Sequence, residues 1–305
     1  MKNIRIGARN SPLALWQARE VARHLQNLNH TTEIVPVVSQ GDKNLDKPLY
    51  AMGITGVFTR DLDQALLAGQ IDLAVHSLKD VPTLLPEGIE LVACLERDYP
   101  EDILVRRAEA KDKPLEELVI ATSSLRRRAF WLSQFPNTKF VDIRGNVQTR
   151  INKLENGLAD ATMFSRAGFE RLELNIPYEF VPNMLNAPGQ GVVAVASRGD
   201  NLELNEIVSS FSNKETEIAV RVERNFLRKL EGGCTAPIGA RAIYVEKEDK
   251  VIFHGKVSSL DGTTSAEISD VFPYNTSEDL GTKLGEELLG KGAKEIMEEI
   301  KKQLS

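Results

Sequence analysis

Arginine stands at the ends of three predicted strands, and its preference over lysine is the first sign of chemistry. Arg9 lies in "GARNS", Arg126, Arg127 and Arg128 in "TSSLRRR", and Arg144 and Arg150 in "RGNVQTR"; lysine, common elsewhere, takes none of these positions. A guanidinium grips a carboxylate or phosphate through two parallel hydrogen bonds and keeps its charge inside a cleft, where an ammonium can lose its proton. The set points to an anion with several carboxylates. Ser123 and Ser124 open the helix after the first strand of this group, where hydroxyls and free N–H groups add to an anion site. Arg128 is expected on the surface, because three consecutive helical residues cannot share one face. The alternative is a solvated arginine face with a serine acting only as N-cap.

A fourth strand end, "HSLKD", carries Asp80 ahead of a turn closed by Pro82. Among arginines a carboxylate stays ionised, and it can then hold a developing cation or move a proton. The plainer role is a turn aspartate accepting backbone hydrogen bonds. Lys79 reads as an anion partner, with Schiff-base chemistry as the alternative, and His76 as a core histidine. Cys94, in the apolar "ELVACLE", reads as a buried thiol. Cys234, in "EGGCTAPIG", follows two glycines at a helix end. A thiol in such a loop suits a nucleophile or a covalent attachment point, its thiolate favoured by nearby positive charge.

The elements that position these residues alternate. "NIRIGA" predicts a strand, and "SPLALWQAREVARHLQNLN" a helix with Ser11 as N-cap, Pro12 at N1 and Val21, Leu25 and Leu28 on its inner face. The strand "EIVPVV", the helix "FTRDLDQALLAG" and the strand "IDLAVHS" follow; a second unit runs from "LVIAT" to "DATMFS". "VVAVAS" predicts a further strand, 202–211 a helix, and "KETEIAVRVERNFLRKLEGG" a longer helix with Ile218, Val222, Phe226 and Leu230 on one face. The remainder holds the strands "KVIFHGKVSSL" and "TSAEISDVF" and one closing helix from about 277 to 303, a small α+β domain. In open α/β sheets ligands bind beyond the carboxyl ends of the strands, where the charged strings fall.

Of 305 residues, 42% are hydrophobic and 27% charged, enough for two or three domains. A net charge of −6 argues against a general nucleic-acid binder. The two cysteines are far apart and no histidines cluster, so neither a disulfide framework nor a metal site is expected. No export signal or membrane-length apolar run is visible, so the expected location is the cytoplasm.

The strings "RIGARNSPLALWQA", "AVHSLKDVP", "TSSLRRR", "RGNVQTR", "AGFERL", "GQG" and above all "EGGCTAPIG", in this order over almost the whole chain, resemble the porphobilinogen deaminase (hydroxymethylbilane synthase) family. The resemblance implies two α/β domains of the type II periplasmic-binding-protein kind plus a smaller C-terminal α+β domain: 1–97 with 196–214, then 98–195, then 215–305. It implies a transferase that joins four porphobilinogen molecules head to tail, releases ammonia and yields the linear hydroxymethylbilane of heme biosynthesis. It implies a dipyrromethane cofactor, made from two substrate units and held by a thioether to Cys234, as primer. Asp80 matches the catalytic aspartate. Cys234, Lys79, Asp80, Ser124, Arg126, Arg127 and Arg144 match cofactor positions, and Arg9, Ser11, Arg126, Arg144, Arg150, Arg171 and Gln190 positions for substrate and the growing chain. A monomer that passes its product to uroporphyrinogen-III synthase is implied as well.

The chain departs from the family pattern at "GITGVF", where Ile54 and Thr55 replace Gly and Lys of a mobile lid, and at "APGQG", which brings Pro188. A binding protein without catalysis would explain the arginines and leave Cys234 and Asp80 idle. A Schiff-base enzyme built on Lys79 would leave the third domain unexplained.

Overall fold

The computed structural model describes residues 3–38, 56, 58–230, 236–275 and 278–304. Cys234, Ile54 and Thr55 lie outside the described residues. Among the described residues no helix is long and apolar enough to cross a membrane.

Apolar runs become strands buried on both faces. The first sheet joins β1 (Ile4–Arg9), β2 (Thr32–Val37), β3 (Leu73–Ser77), β4 (Ile89–Cys94) and β10 (Val193–Arg198) in the order β2-β1-β3-β10-β4. β1 is parallel to β2 and β3, whereas β10 runs antiparallel to β3 and β4. α1 (Pro12–Asn27) and α2 (Arg60–Leu67) cover this sheet. Ser11 caps α1, its hydroxyl accepting from the Ala14 amide at 3.3 Å, with Pro12 at the start. Val21 and Leu25 enter the core as expected, but Leu28 is exposed because the helix has already ended at Asn27.

The second sheet joins β5 (Asp102–Arg106), β6 (Val119–Ala121), β7 (Lys139–Val141), β8 (Ala161–Ser165) and β9 (Glu179–Phe180) as β7-β6-β8-β5-β9, with β5 antiparallel to β8. α3 (Leu125–Leu132), α4 (Val147–Glu155) and α5 (Arg166–Glu170) complete this lobe. In both sheets the strand next to the edge is antiparallel and is supplied where the chain crosses between lobes. Two lobes sharing this order form the type II periplasmic-binding-protein arrangement. The β10 strand already pairs with β3 at Val193, so the crossing lies before that residue.

After α6 (Leu202–Ser209), the long α7 (Lys214–Lys229) packs on a three-stranded antiparallel sheet, β11 (Ile238–Val245), β12 (Lys250–Ser258) and β13 (Ser265–Pro273). β11 was not anticipated from the sequence. Ile218, Val222, Phe226 and Leu230 are all buried in this third core, and Phe226 meets Phe253 edge-on at 5.0 Å. The closing helix is two helices, α8 (Leu280–Leu288) and α9 (Lys294–Leu304), parted by a turn in which Gly292 adopts φ 101°. A single straight helix was expected. Glycine tolerates that backbone conformation without steric cost, so the pair Gly290 and Gly292 marks the break.

α7 and α8 touch through Gly281, where a Cβ would sit 2.2 Å from the Val222 carbonyl oxygen. No rotamer change relieves a clash with backbone. Gly281→Ala is therefore expected to lower stability by about 2 kcal/mol, read as a shift of the chemical-denaturation midpoint, with an unchanged midpoint ruling out this close approach.

Candidate active site

The first lobe brings Lys79 and Asp80 to the cleft on a tight turn, Leu78–Asp80, directly after β3. Buried Leu78 anchors the turn: its amide donates to the Val192 carbonyl at 3.0 Å, and its side chain fills the space a Cβ on Gly189 would occupy. From the third domain, Arg224 donates to the carbonyls of Val81 at 2.9 Å and Pro82 at 2.7 Å. Among the described residues, the Asp80 carboxylate takes part in no hydrogen bond or ion pair, and it is partly exposed. Lys79 Nζ donates to Gln190 Oε1 at 3.2 Å. Burial, then the nearby Arg127 and Arg126, outweigh Asp80 and Asp102 and bring the Lys79 ammonium down to about 8.

The second lobe contributes a carboxylate that the sequence reading did not single out. Asp102, at the start of β5, is fully buried. Its Oδ1 accepts from Arg127 Nε at 3.0 Å, Arg127 Nη2 at 2.7 Å and Gln190 Nε2 at 3.1 Å, and its Oδ2 lies 2.7 Å from Arg126 Nη2. Burial alone would raise the Asp102 carboxyl, but Arg126, Arg127 and Lys79 hold it well below the usual carboxylate range. Arg126 also donates to the Leu185 carbonyl at 2.6 Å, and Arg127 to that of Met163 at 2.9 Å. Ser124 caps α3, its hydroxyl accepting from the Arg127 amide at 3.4 Å, while Ser123 ties the loop to Ile143.

Arg150 has no ion-pair partner among the described residues. Among the described residues its guanidinium donates only to Thr162 Oγ1, at 3.3 Å, and to the Met163 carbonyl, and it stacks over Phe164 at 4.3 Å. Its Nε is buried with no hydrogen-bond partner. Burial, and then Arg127, lower its pKa to about 9. A half-buried guanidinium whose Nε is buried and unbonded among the described residues favours an anion beside it.

Around this centre, Arg144 is buried at the turn between β7 and α4, and Arg9 lies over the Phe58 ring at 4.2 Å. Arg171 is buried against Asp98 at 2.8 Å and the Gly191 carbonyl at 2.7 Å, over the Trp16 indole at 5.2 Å. Ser11, Trp16, Arg19 and Arg171 line a cavity of about 560 Å³. Arg128 turns aside to Asp142 at 2.7 Å, as its place in the helix required. His76 and Cys94 are buried core residues; burial, then Glu217, push the Cys94 thiol up to about 12. Besides Asp102, the sequence reading missed Arg97 and Glu223, which pair at 2.9 Å where α7 meets the crossing segment. The only sequence signal for Asp102 is an acid placed directly before the apolar run Ile103, Leu104 and Val105.

Residues 4–206 match the family described as "Porphobilinogen deaminase, dipyromethane cofactor binding domain", and residues 217–290 match "Porphobilinogen deaminase, C-terminal domain". The chain belongs to the porphobilinogen deaminase family. It is 42% identical to the porphobilinogen deaminase of Chlorobaculum tepidum, over 99% of both chains, and 42% identical to that of Cytophaga hutchinsonii, over 100% of this chain and 99% of the other. A solved structure, an ancestral cationic amino acid solute binding protein, aligns with a TM-score of 0.42 at 17% identity, covering 68% of this chain and 87% of that one.

The family's dipyrromethane cofactor carries carboxylate arms, and the side chains present suit it. Arg150 offers a buried Nε with no partner among the described residues, Lys79 Nζ has a single acceptor among them, and Asp80 is partly exposed. The attachment residue, Cys234, lies outside the described residues.

His76 supplies a pH test of the site's frame. Burial, then Arg9, lower its pKa to about 4 from an ordinary 6.5. The unfolded chain therefore binds the extra proton first as pH falls through 6.5, and stability is lost down to about pH 4, by roughly 3 kcal/mol. In urea titrations at pH 7 and 4.5, His76→Gln is expected to flatten this slope relative to the natural chain; equal slopes would remove His76 as its source.

Proposed function

We infer that this chain condenses porphobilinogen units head to tail, releasing ammonia at each addition, to give linear hydroxymethylbilane for heme biosynthesis. The observation that carries the reading is the Arg150 guanidinium, its Nε buried and unbonded, in one lobe with the Asp102-bound arginine pair, while Asp80 of the other lobe makes no hydrogen bond or ion pair among the described residues. Each pyrrole unit brings two carboxylates, so the growing chain is a polyanion, and a cation-rich wall holds it without a single rigid lock.

Bound dipyrromethane, tethered at Cys234, supplies the electron-rich pyrrole carbon to which the next unit is joined. Asp80 would hold the positive charge that develops on a pyrrole nitrogen as ammonia departs, and would accept the proton that the joined α-carbon gives up once the new carbon–carbon bond has formed. At 4 Å in a medium of intermediate dielectric, such a pairing is worth about 4 kcal/mol. Arg9, Ser11, Arg171 and Arg150 hold carboxylates of substrate and chain; Arg126, Arg127, Arg144, Ser124 and Lys79 steady the cofactor. With its pKa near 8, Lys79 is mostly protonated at pH 7 and adds to the cationic wall. The same lowered value would suit a Schiff-base lysine, but that chemistry requires no sulfur at position 234.

The reading includes a cytoplasmic monomer of three domains, the chain returning to the first before Val193, that hands its product to uroporphyrinogen-III synthase. Intact-mass measurement of purified protein is expected to show two pyrrole units added, with peptide mapping placing them on Cys234; a fully active, unmodified chain would refute the assignment. Asp80→Asn is expected to keep the adduct and lose at least about 100-fold in turnover, whereas Lys79→Arg is milder. Wild-type turnover by Asp80→Asn would remove its catalytic role.

A further inference from the structure

Gln190 lies between the lobes with nothing of its side chain to spare. It is fully buried, and its backbone is held by Gly189 at φ 73° and Gly191 at φ 86°. A Cβ on Gly191 would meet the Asp98 carbonyl oxygen at 2.7 Å, and one on Gly189 would meet Leu78 at 3.0 Å, so both lobes press against the segment. The side-chain amide is oriented by its partners. Nε2 donates both hydrogens, to the Pro100 carbonyl at 2.7 Å and Asp102 Oδ1 at 3.1 Å, and Oε1 accepts from Lys79 at 3.2 Å. A flipped amide would oppose two acceptors to its own oxygen. An unbroken line thus runs from Lys79 in the first lobe, through Gln190, to Asp102 and its two arginines in the second.

We propose that Gln190 is a positioning residue that couples the lobes: its amide holds the Lys79 ammonium beside Asp80 at a set place relative to Arg126 and Arg127. This rests on the porphobilinogen reading but differs from it at one residue, since Gln190 is wholly buried among these partners and presents no surface to a substrate. The groups facing Lys79 are Asp80 on its own turn, Asp102 on β5, and Arg126 and Arg127 on α3. Loss of the Gln190 acceptor removes a neutral dipole that favours the charged lysine, so the ammonium should deprotonate at lower pH.

The test uses the cofactor-loaded enzyme and two variants. Gln190→Leu removes both halves of the tie and is expected to lower kcat about 10- to 100-fold with KM little changed. The alkaline limb of its kcat–pH profile should move to lower pH, while Lys79→Arg, which does not titrate in that range, abolishes the limb. Gln190→Glu, ionised by Lys79 and the two arginines, still accepts from Lys79 but no longer donates to Asp102 or the Pro100 carbonyl, and should keep the alkaline limb at or above its natural position while kcat stays low. A raised KM with kcat retained would make Gln190 a substrate contact and overturn the proposal. So would an alkaline limb unmoved in Gln190→Leu, or one moved to lower pH in Gln190→Glu. The pyrrole adduct, measured by mass on the same preparations, separates the cases: its absence from the natural chain removes the porphobilinogen reading, whereas its presence alongside any of these outcomes removes only the coupling.

Discussion

A carboxylate buried with two guanidiniums and within the field of an ammonium is the constraint on which the cleft depends. Taking Asp102 out of water costs several kcal/mol, and Arg126 and Arg127 return it only because both approach within 2.7 Å. The arrangement leaves net positive charge at the centre, since Arg150 adds a further cation with no carboxylate among the described residues. That excess favours anions, and on the proposed reading porphobilinogen units would meet it with each ring they bring.

The crossing segment converts this local balance into a relation between domains. Glu223 on α7 accepts from Arg97 at 2.9 Å, from the Gly189 amide at 2.7 Å and from the Ala242 amide at 2.7 Å. One carboxylate therefore ties the third domain to the hinge, as Asp102 ties the second lobe to it through Gln190. Both are wholly buried, so neither is screened by salt as a surface pair would be.

What was legible in the sequence was what is decided locally. Ser11 before Pro12, the apolar spacing of Ile218, Val222, Phe226 and Leu230, and Arg128 on the outer face of its helix follow from cap chemistry and period. Asp102 was not legible, because its meaning comes from partners 25 and 88 residues along the chain, and nothing in "DILVR" says that two arginines will meet it. Glu223 failed to stand out for the same reason: within α7 it reads as one more acid on a charged helix. β11 was overlooked because "IGARAIYV" breaks its apolar alternation with Arg241 and a glycine. The break between α8 and α9 needed a backbone reading of Gly290 and Gly292, where a propensity reading saw only continuation.

Both borders of the stretch that bears Cys234 are fastened to one place. Upstream, α7 is bolted to the crossing segment by Glu223; downstream, Ala240 exchanges hydrogen bonds with Asn186, at 3.1 Å to its carbonyl and 2.9 Å from its side-chain amide. If the lobes part to admit a longer product, both flanks of that stretch should stay with the crossing segment and follow neither wall. A tether rooted at a pivot keeps its origin constant while the space ahead of it widens, so successive additions can extend outward from an unmoving base.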